Sequence, residues 1–375
     1  MQLQFDSSGS VEGFATSLQV LASRADIAAI LVLACDENGW QPEDVDPLLK
    51  ASEVPVFGGI FPQIAYQGGN HIKGTLLVGL ASAPETGVIE GLSDADAEYE
   101  QALLPLAERW SEACEGQTYL VIVDGLASRI SALIESLFYT IGLEHNFIGG
   151  GAGSLSFEKR PCVITPQGLK KDAALIALLP VPSSIGVTHG WEPVSEAFTV
   201  TSSERNVVKS IDWEPAAAFY TRMIHAHSGQ DLNIDDFFSV AKSYPLGISR
   251  LGAEMVVRDP LMMNEEGELT CVGEVPEGCM VKLLNGNPDT LIAAATHARE
   301  QALAAYEGAT LASTDWLLID CISRVLYLGD DMTKELQAVA QGEAVFGAFT
   351  LGEIANSGNG YLDFYNKTIV VGLLG

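Results

Sequence analysis

The sequence predicts an α/β fold of mixed α+β character, in which duplicated strand–helix–strand units form mixed sheets covered by helices. Apolar stretches at 29–36, 119–124 and 316–320 each end in an aspartate. One helix length later each is followed by a glycine turn: VFGGIFP at 56–62, FIGGGAGS at 147–154 and VFGAFTLGE at 345–353. A further apolar run closes each unit, at 75–80, 173–179 and 368–371. Such self-similarity indicates internal duplication.

The elements between these landmarks follow from periodicity and capping residues. Ser10 precedes a helix whose apolar residues recur at helical spacing through Leu21. An acidic helix is predicted from about 93 to 114, and the buried helix of the second unit at 130–141. Beyond Pro180 and Pro182 the chain alternates as β-structure from 184 to 211. Helices are expected at 215–226, 234–242 and 289–306, and strands near 256–260, 268–273 and 280–284.

The length of 375 residues predicts two domains. The prolines Pro180 and Pro182 interrupt the repeated pattern, and the junction is expected there or shortly after. We therefore predict one domain over 1–212 and a second over 213–375.

Composition excludes several classes of function. The net charge is −29, which argues against nucleic acid and anionic membrane surfaces as partners, because both attract basic patches. Six cysteines form no CxxC pair, as expected in a reducing compartment. The amino terminus lacks the basic and apolar regions of a signal peptide, and no apolar run is long enough to span a bilayer. These features predict a cytoplasmic protein without membrane insertion.

Motifs for common enzymes are missing from the sequence. There is no GxSxG elbow, and the glycine run at 149–153 is not followed by GK[ST]. His225 and His227 would point to different sides of a helix, so they do not form a chelating pair.

A candidate ligand site follows from polar residues that recur at equivalent places. Arg129 follows the strand that ends at Asp124, and Arg324 follows the strand that ends at Asp320. An arginine at a strand end near a glycine turn is suited to clamp a carboxylate. Facing groups could hold an amine, so the set suits a small zwitterion such as an amino acid. The alternative is that Arg324 pairs with Glu353 or Asp330 and ties loops together. The predicted ligand-binding residues are Arg129, Gly150, Gly151, Arg324, Thr350, Gly352, Glu353 and Asn366.

Three histidines are candidates for an axial haem ligand, although no cofactor is required by the sequence. His71 and His145 lie near glycine turns, and His225 lies in a predicted helix. A neutral imidazole can bind haem iron, but for each histidine a structural role is the competing interpretation.

Several motifs resemble those of the FIST family. FIGGGAG at 147–153 and GVTHGWEP at 186–193 resemble its amino-terminal domain. DCISR at 320–324, FGAFTLGEI at 346–354 and YNKT at 365–368 resemble its carboxy-terminal domain. The resemblance covers nearly the whole chain and implies a sensory protein for small ligands such as amino acids. Because the chain carries no transmitter module, it implies signalling to a separate partner such as a histidine kinase or a cyclic-di-GMP enzyme (a diguanylate cyclase).

Three hypotheses of function remain open from the sequence. The first is a non-catalytic sensor that binds an amino acid-like ligand at the glycine turns. The second is a haem protein that senses nitric oxide, since the chain also resembles the stand-alone NosP type of FIST protein. The third is an enzyme of unrecognised type, with Glu353 as base and Cys321 as nucleophile.

Overall fold

The computed structural model describes residues 1–110, 117–142, 144–251, 254–307, 314–356 and 361–375. The helices are α1 (Val11–Ala22), α2 (Pro42–Ala51), α3 (Tyr99–Trp110), α4 (Ile130–Ile141), α5 (Ala216–Ser228), α6 (Phe237–Ala241), α7 (Pro288–Ala304), α8 (Ile322–Leu328) and α9 (Met332–Ala340). Short 3-10 turns cover Asp36–Asn38, Ile234–Asp236 and Gly329–Asp331. The mixed α/β fold class predicted from the sequence is confirmed.

The strands follow the chain in this order. The first third of the chain holds β1 (Gln2–Asp6), β2 (Ala29–Cys35), β3 (Val56–Phe61), β4 (Gln63–Tyr66), β5 (Gly69–His71), β6 (Thr75–Leu80), β7 (Glu85–Glu90) and β8 (Gln117–Asp124). Then come β9 (Asn146–Ala152), β10 (Val163–Thr165), β11 (Gly168–Lys170), β12 (Ala173–Thr188), β13 (Glu192–Pro193), β14 (Phe198–Glu204), β15 (Val207–Ile211), β16 (Glu214–Pro215) and β17 (Leu246–Ile248). The last are β18 (Val256–Arg258), β19 (Pro260–Met263), β20 (Leu269–Cys271), β21 (Met280–Asn285), β22 (Asp315–Cys321), β23 (Val345–Thr350), β24 (Glu353–Asn356), β25 (Leu362–Tyr365) and β26 (Ile369–Leu374).

Capping explains where two of the predicted helices begin. The Ser10 hydroxyl accepts a hydrogen bond from the Gly13 amide, which satisfies a donor in the first turn of α1. Asn287 and Thr290 form a capping box at the start of α7. The helix predicted at 93–114 begins later, at Tyr99, and its predicted end at Cys114 lies outside the described residues.

The predicted units share one topology. In each, an opening strand pairs in parallel with the strand that reaches the glycine turn and antiparallel with a returning strand. The returning strand, the opening strand and the strand that reaches the glycine turn lie side by side in that order. They are β6, β2 and β3 in the first unit, β12, β8 and β9 in the second, and β26, β22 and β23 in the third. The internal duplication inferred from the glycine turns is therefore present in the strand pairing.

One glycine in each unit explains why the turns look alike. In each strand that reaches a glycine turn, this glycine lies against the middle of the opening strand. A Cβ atom at that position would collide with a backbone carbonyl oxygen of the opening strand. The distance from such a Cβ atom to the carbonyl oxygen would be 1.9 Å for Gly58 to Val32, 1.8 Å for Gly149 to Val121 and 1.8 Å for Gly347 to Leu318. Only glycine permits this approach of the backbones.

The units also exchange strands in a cycle. After its glycine turn, the first unit adds β4 to β23 of the third unit. The third unit adds β24 to β9 of the second, and the second adds β10 to β3 of the first. Through this cyclic exchange each unit pairs with both of the others.

The strand β12 joins two units because it continues through the prolines that were expected to interrupt the pattern. Its first part pairs with β8, and residues from Ser183 onward pair with β26. A register irregularity between Leu179 and Pro182 accommodates the prolines. Prolines are tolerated at such irregularities because they lack an amide donor.

A further sheet lies between β12 and α7 in the chain. It has the order β18–β17–β21–β14–β15–β20–β19, and α5 packs against β15. We call residues 192–285 the inserted sheet module. The helix α7 packs against β12 and β26, and α3 packs against α4. In the described ranges, no helix has both the length and the apolar character needed to cross a membrane.

Candidate functional site

Most of the predicted ligand-binding residues meet where β9, β23 and β24 approach one another. The Gly151 amide donates to the Gly352 carbonyl at 2.8 Å, and the Leu351 amide donates to the Gly151 carbonyl at 2.8 Å. A Cβ atom on Gly150 would lie 2.7 Å from the Gly352 carbonyl oxygen. The glycines therefore allow the backbones of two units to approach each other closely.

Glu353 lies at the start of β24 with its side chain fully buried. Its Oε1 accepts a hydrogen bond from the Thr350 hydroxyl at 3.0 Å, and its Oε2 accepts one from the Thr368 amide at 3.3 Å. Burial raises the pKa of Glu353 to about 8, because the charged form loses its hydration and the hydrogen bonds from protein donors only partly replace it.

Arg324 lies in α8 and is completely buried. Its Nε and Nη2 donate to the two carboxylate oxygens of Glu335 at 3.1 and 2.7 Å. Its Nη1 donates to the carbonyls of His189 at 2.6 Å and Lys367 at 3.3 Å, and its Nη2 also reaches the Leu291 carbonyl at 3.0 Å. Each nitrogen of the guanidinium thus already has a protein acceptor.

The acidic partners of Arg324 are Glu335 and Asp320, and not Glu353 or Asp330 as the sequence suggested. Asp320 Oδ1 lies 3.3 Å from Arg324 Nε, and both side chains are fully buried. Burial and the neighbouring Glu335 raise the pKa of Asp320 well above its usual range, although Arg324 opposes the shift. Asp320 lies near the end of β22, four residues before Arg324 in the adjoining helix α8, whereas the position of Glu335 depends on how α9 packs.

The segment 366–368 connects the buried cluster of Asp320, Arg324, Glu335 and Glu353 to the inserted sheet module. Lys367 has a left-handed backbone with φ of +52°, and its buried Nζ contacts Asp259 at 3.1 Å and the Lys242 carbonyl at 2.9 Å. The ammonium lies 4.8 Å from the ring centroid of Trp191, whose Nε1 donates to the Lys367 carbonyl at 3.1 Å. Lys367 and Trp191 were not predicted as site residues, although they stand in the motifs YNKT and GVTHGWEP.

Asn366 is the predicted site residue that retains donor capacity. Its side chain is 2% exposed, and in the described structure its Nδ2 has no hydrogen-bond partner. Its Oδ1 lies 3.5 Å from Nη1 of the buried Arg258. A buried amide donor without a partner is costly, so this atom is a natural contact for a ligand or an ordered water.

Arg129 has a different role from the other predicted residues. Its Nη1 donates to the carbonyls of Asp94 at 2.6 Å and Ala97 at 3.0 Å, and its guanidinium lies 5.1 Å from the ring centroid of Tyr99. These contacts hold the segment before α3 against α4. None of them is with the buried cluster around Arg324.

The three candidate haem ligands have different settings. His71 Nε2 lies 3.1 Å from the Tyr66 carbonyl oxygen. His225 is exposed on α5 with its Nδ1 3.0 Å from Asp231. The ring of His145 packs edge-on against Tyr119.

The proposed nucleophile of the enzyme hypothesis is unsuited to react as a thiolate. Cys321 is buried, and its Sγ lies 2.9 Å from the Ser323 hydroxyl. Burial and then the neighbouring Glu353 raise the pKa of this thiol far above its usual value. Reactive cysteines have the opposite environment, which lowers the thiol pKa.

Comparison with known families agrees with the motifs seen in the sequence. The FIST N domain matches residues 29–214, and the FIST C domain matches residues 216–356. No curated protein matches the chain. The two matches cover most of the chain and place the buried cluster of Arg324 and Glu353 in the FIST C domain. This chain therefore belongs to the FIST family, whose domains are sensory modules for small ligands in signalling proteins.

Proposed function

We propose that this chain is a non-catalytic cytoplasmic sensor that binds a small, amino acid-like ligand and signals to a separate protein, such as a histidine kinase or a cyclic-di-GMP enzyme. The observation that supports the proposal is the set of contacts made by the segment 366–368. This segment contacts Trp191 of the FIST N domain and, through Lys367, Asp259 and Arg324 of the FIST C domain. A ligand that displaced this segment would change contacts in both domains at once.

The predicted site residues enter this proposal with unequal roles. Asn366 offers a free donor to the ligand, whereas Arg324 and Glu353 hold the segment in place through the Lys367 carbonyl and the Thr368 amide. Ligand binding would then favour one of two arrangements of the segment, which is the physical requirement for a sensor.

The division into domains 1–212 and 213–375 also belongs to this proposal. The family boundary at 214 and 216 supports it. In the fold, however, β12 from the first part pairs with β26 from the second. Separate expression of the two fragments tests whether each folds by itself.

A thermal unfolding screen of the purified protein against individual amino acids tests the proposed function. A ligand present at 100 times its Kd should stabilise the folded state by about 2.7 kcal/mol. A matched screen of Asn366→Ala should show a smaller shift for the same ligand.

Titration with haem, followed by nitric oxide, separates this proposal from the haem hypothesis. We expect no saturable Soret band beyond that of free haem. A band that saturates, shifts with nitric oxide and is lost in His145→Ala would replace the amino acid-like ligand by haem.

A further inference from the structure

A cleft of about 350 Å³ lies between α4, β25 and the inserted sheet module. Its apolar wall includes Ile134, Phe138 and Phe364. Its polar lining consists of Arg250, Arg258, Glu135, Glu274 and Asp363, among other residues. The helix α4 belongs to the FIST N domain and both arginines belong to the FIST C domain. The cleft therefore lies at the junction of the two domains, and its volume is in the range of small-molecule sites.

Arg258 is a buried cation that forms no direct ion pair in the described structure, although the carboxylates of Asp363 and Glu274 are near enough to favour its charge. Its side chain is only 5% exposed. Its Nε donates to the Glu274 carbonyl at 2.8 Å, and its Nη1 donates to the carbonyls of Val257 and Phe364, each at 3.0 Å. Carbonyl groups satisfy these donors but do not neutralise the charge.

Within the described ranges, Arg258 forms no ion pair, and no acceptor binds its Nη2. The nearby Asp363 is already paired with Arg250 at 3.1 Å. Burial lowers the pKa of Arg258 to about 10, which reflects the cost of holding this charge. Buried charges in proteins are normally compensated by a counter-charge.

Arg250 brings a second guanidinium to the same cleft. Its Nη2 donates to Asp363 Oδ1 at 3.1 Å, and its guanidinium lies 5.9 Å from the ring centroid of Tyr361. Its Nε is buried and has no hydrogen-bond partner in the described structure. Two guanidinium groups thus lie beside the apolar wall of the cleft.

We propose that this cleft binds a small monocarboxylate with an apolar body, with its carboxylate on Arg258 and Arg250 and its body against Ile134, Phe138 and Phe364. A guanidinium binds a carboxylate through paired, charge-assisted hydrogen bonds, which would give Arg258 the direct ion-pair partner that it lacks in the described structure. The inference rests on the proposed function in taking a small ligand as the signal, and it names the site and the charged group of that ligand.

The position of Arg258 connects the cleft to the buried cluster. Arg258 Nη1 lies 3.5 Å from Asn366 Oδ1, and Asn366 precedes Lys367 and Thr368 in the segment that contacts Arg324 and Glu353. A carboxylate bound to Arg258 would therefore act on the amide of Asn366 through the guanidinium.

Calorimetric titration of the full chain with phenylacetate and phenylacetamide tests the inference without any substitution. The two probes have nearly the same shape, but only phenylacetate carries a charge. We expect saturable binding of phenylacetate and at least about 10-fold weaker binding of phenylacetamide, because a hydrogen bond to a charged group contributes more than a neutral one. Equal binding of the two, or binding of neither, would overturn the inference.

Variants locate the bound carboxylate. Arg258→Gln and Arg250→Gln should each weaken phenylacetate binding by about 10- to 100-fold. The matched control is Arg222→Gln, because Arg222 is exposed on α5 and pairs with Glu214 away from the cleft. If Arg258→Gln does not fold, as judged by its circular dichroism and melting curve, Arg250→Gln carries the test.

The outcomes for the site and for the proposed function are distinguishable. If amino acids stabilise the protein in the thermal screen but both cleft variants respond as the wild type does, the site is wrong and the sensor function stands. If both cleft variants lose the response while Arg222→Gln keeps it, the site and the function are supported together.

Discussion

Substitution of Glu353 by glutamine should flatten the dependence of stability on pH. Glutamine has the shape of a protonated glutamate and can keep the acceptor for the Thr368 amide while its own amide donates to the Thr350 hydroxyl. The variant should therefore fold, and it removes a single titrating group from the buried cluster.

The sign and size of the effect follow from the raised pKa. The pKa of Glu353 is about 8 in the folded protein against a usual value of 4.5. The folded state thus binds more protons than the unfolded state between these values, so the stabilising contribution is complete below pH 4.5 and is lost as the pH rises to 8. The slope is about 1.4 kcal/mol per pH unit in the middle of this window and falls to about half of that at pH 8, so roughly 2 kcal/mol is lost between pH 6 and pH 8.

Urea unfolding at pH 6, 7 and 8 measures this difference. The wild type should lose about 2 kcal/mol more than Glu353→Gln over that range, while Asp320, whose pKa is also raised, contributes a slope of the same sign to both proteins. The control is Glu12→Gln, an exposed substitution in the first turn of α1, which should run parallel to the wild type. Parallel profiles for Glu353→Gln and the wild type would refute the reasoning.

Two further substitutions test the packing of the third unit. Gly347→Ala should destabilise the fold by at least about 1–3 kcal/mol in urea unfolding, because its Cβ would meet the Leu318 carbonyl oxygen at 1.8 Å. Gly69→Ala is its control, since the nearest atom there is 3.7 Å away, and equal effects would contradict the close approach. Arg324→Met should cost about 3–5 kcal/mol because it leaves two buried carboxylates without their counter-charge. Lys334→Met removes an exposed pair and should cost less than about 1 kcal/mol, so a similar loss in both variants would count against the buried network.

The repeated units could be predicted because each is encoded by local pattern. An apolar strand that ends in aspartate, a helix and a glycine turn recur in order, and the same strand pairing is found in the structure. The glycines were the strongest indication of the duplication. At Gly58, Gly149 and Gly347 two backbones approach so closely that there is no room for a Cβ atom, so only glycine fits these positions.

The cyclic exchange of strands could not be predicted in the same way. The strands β4, β10 and β24 look alike in the sequence as short apolar segments after a glycine turn. Which neighbouring unit receives each strand depends on contacts between residues far apart in the chain. The path of β12 through Pro180 and Pro182 is a similar case, because its partner changes from β8 to β26 at that point.

The sequence by itself determined the fold class, the family and the identity of the polar residues at the strand ends. Only the tertiary structure decided what those residues contact. It paired Arg324 with Asp320 and Glu335, and among the described residues it left Arg258 buried without a direct ion pair. The physical reason is that local periodicity reports which face of a helix or strand is buried, whereas the pairing of buried charges depends on which distant elements pack against that face.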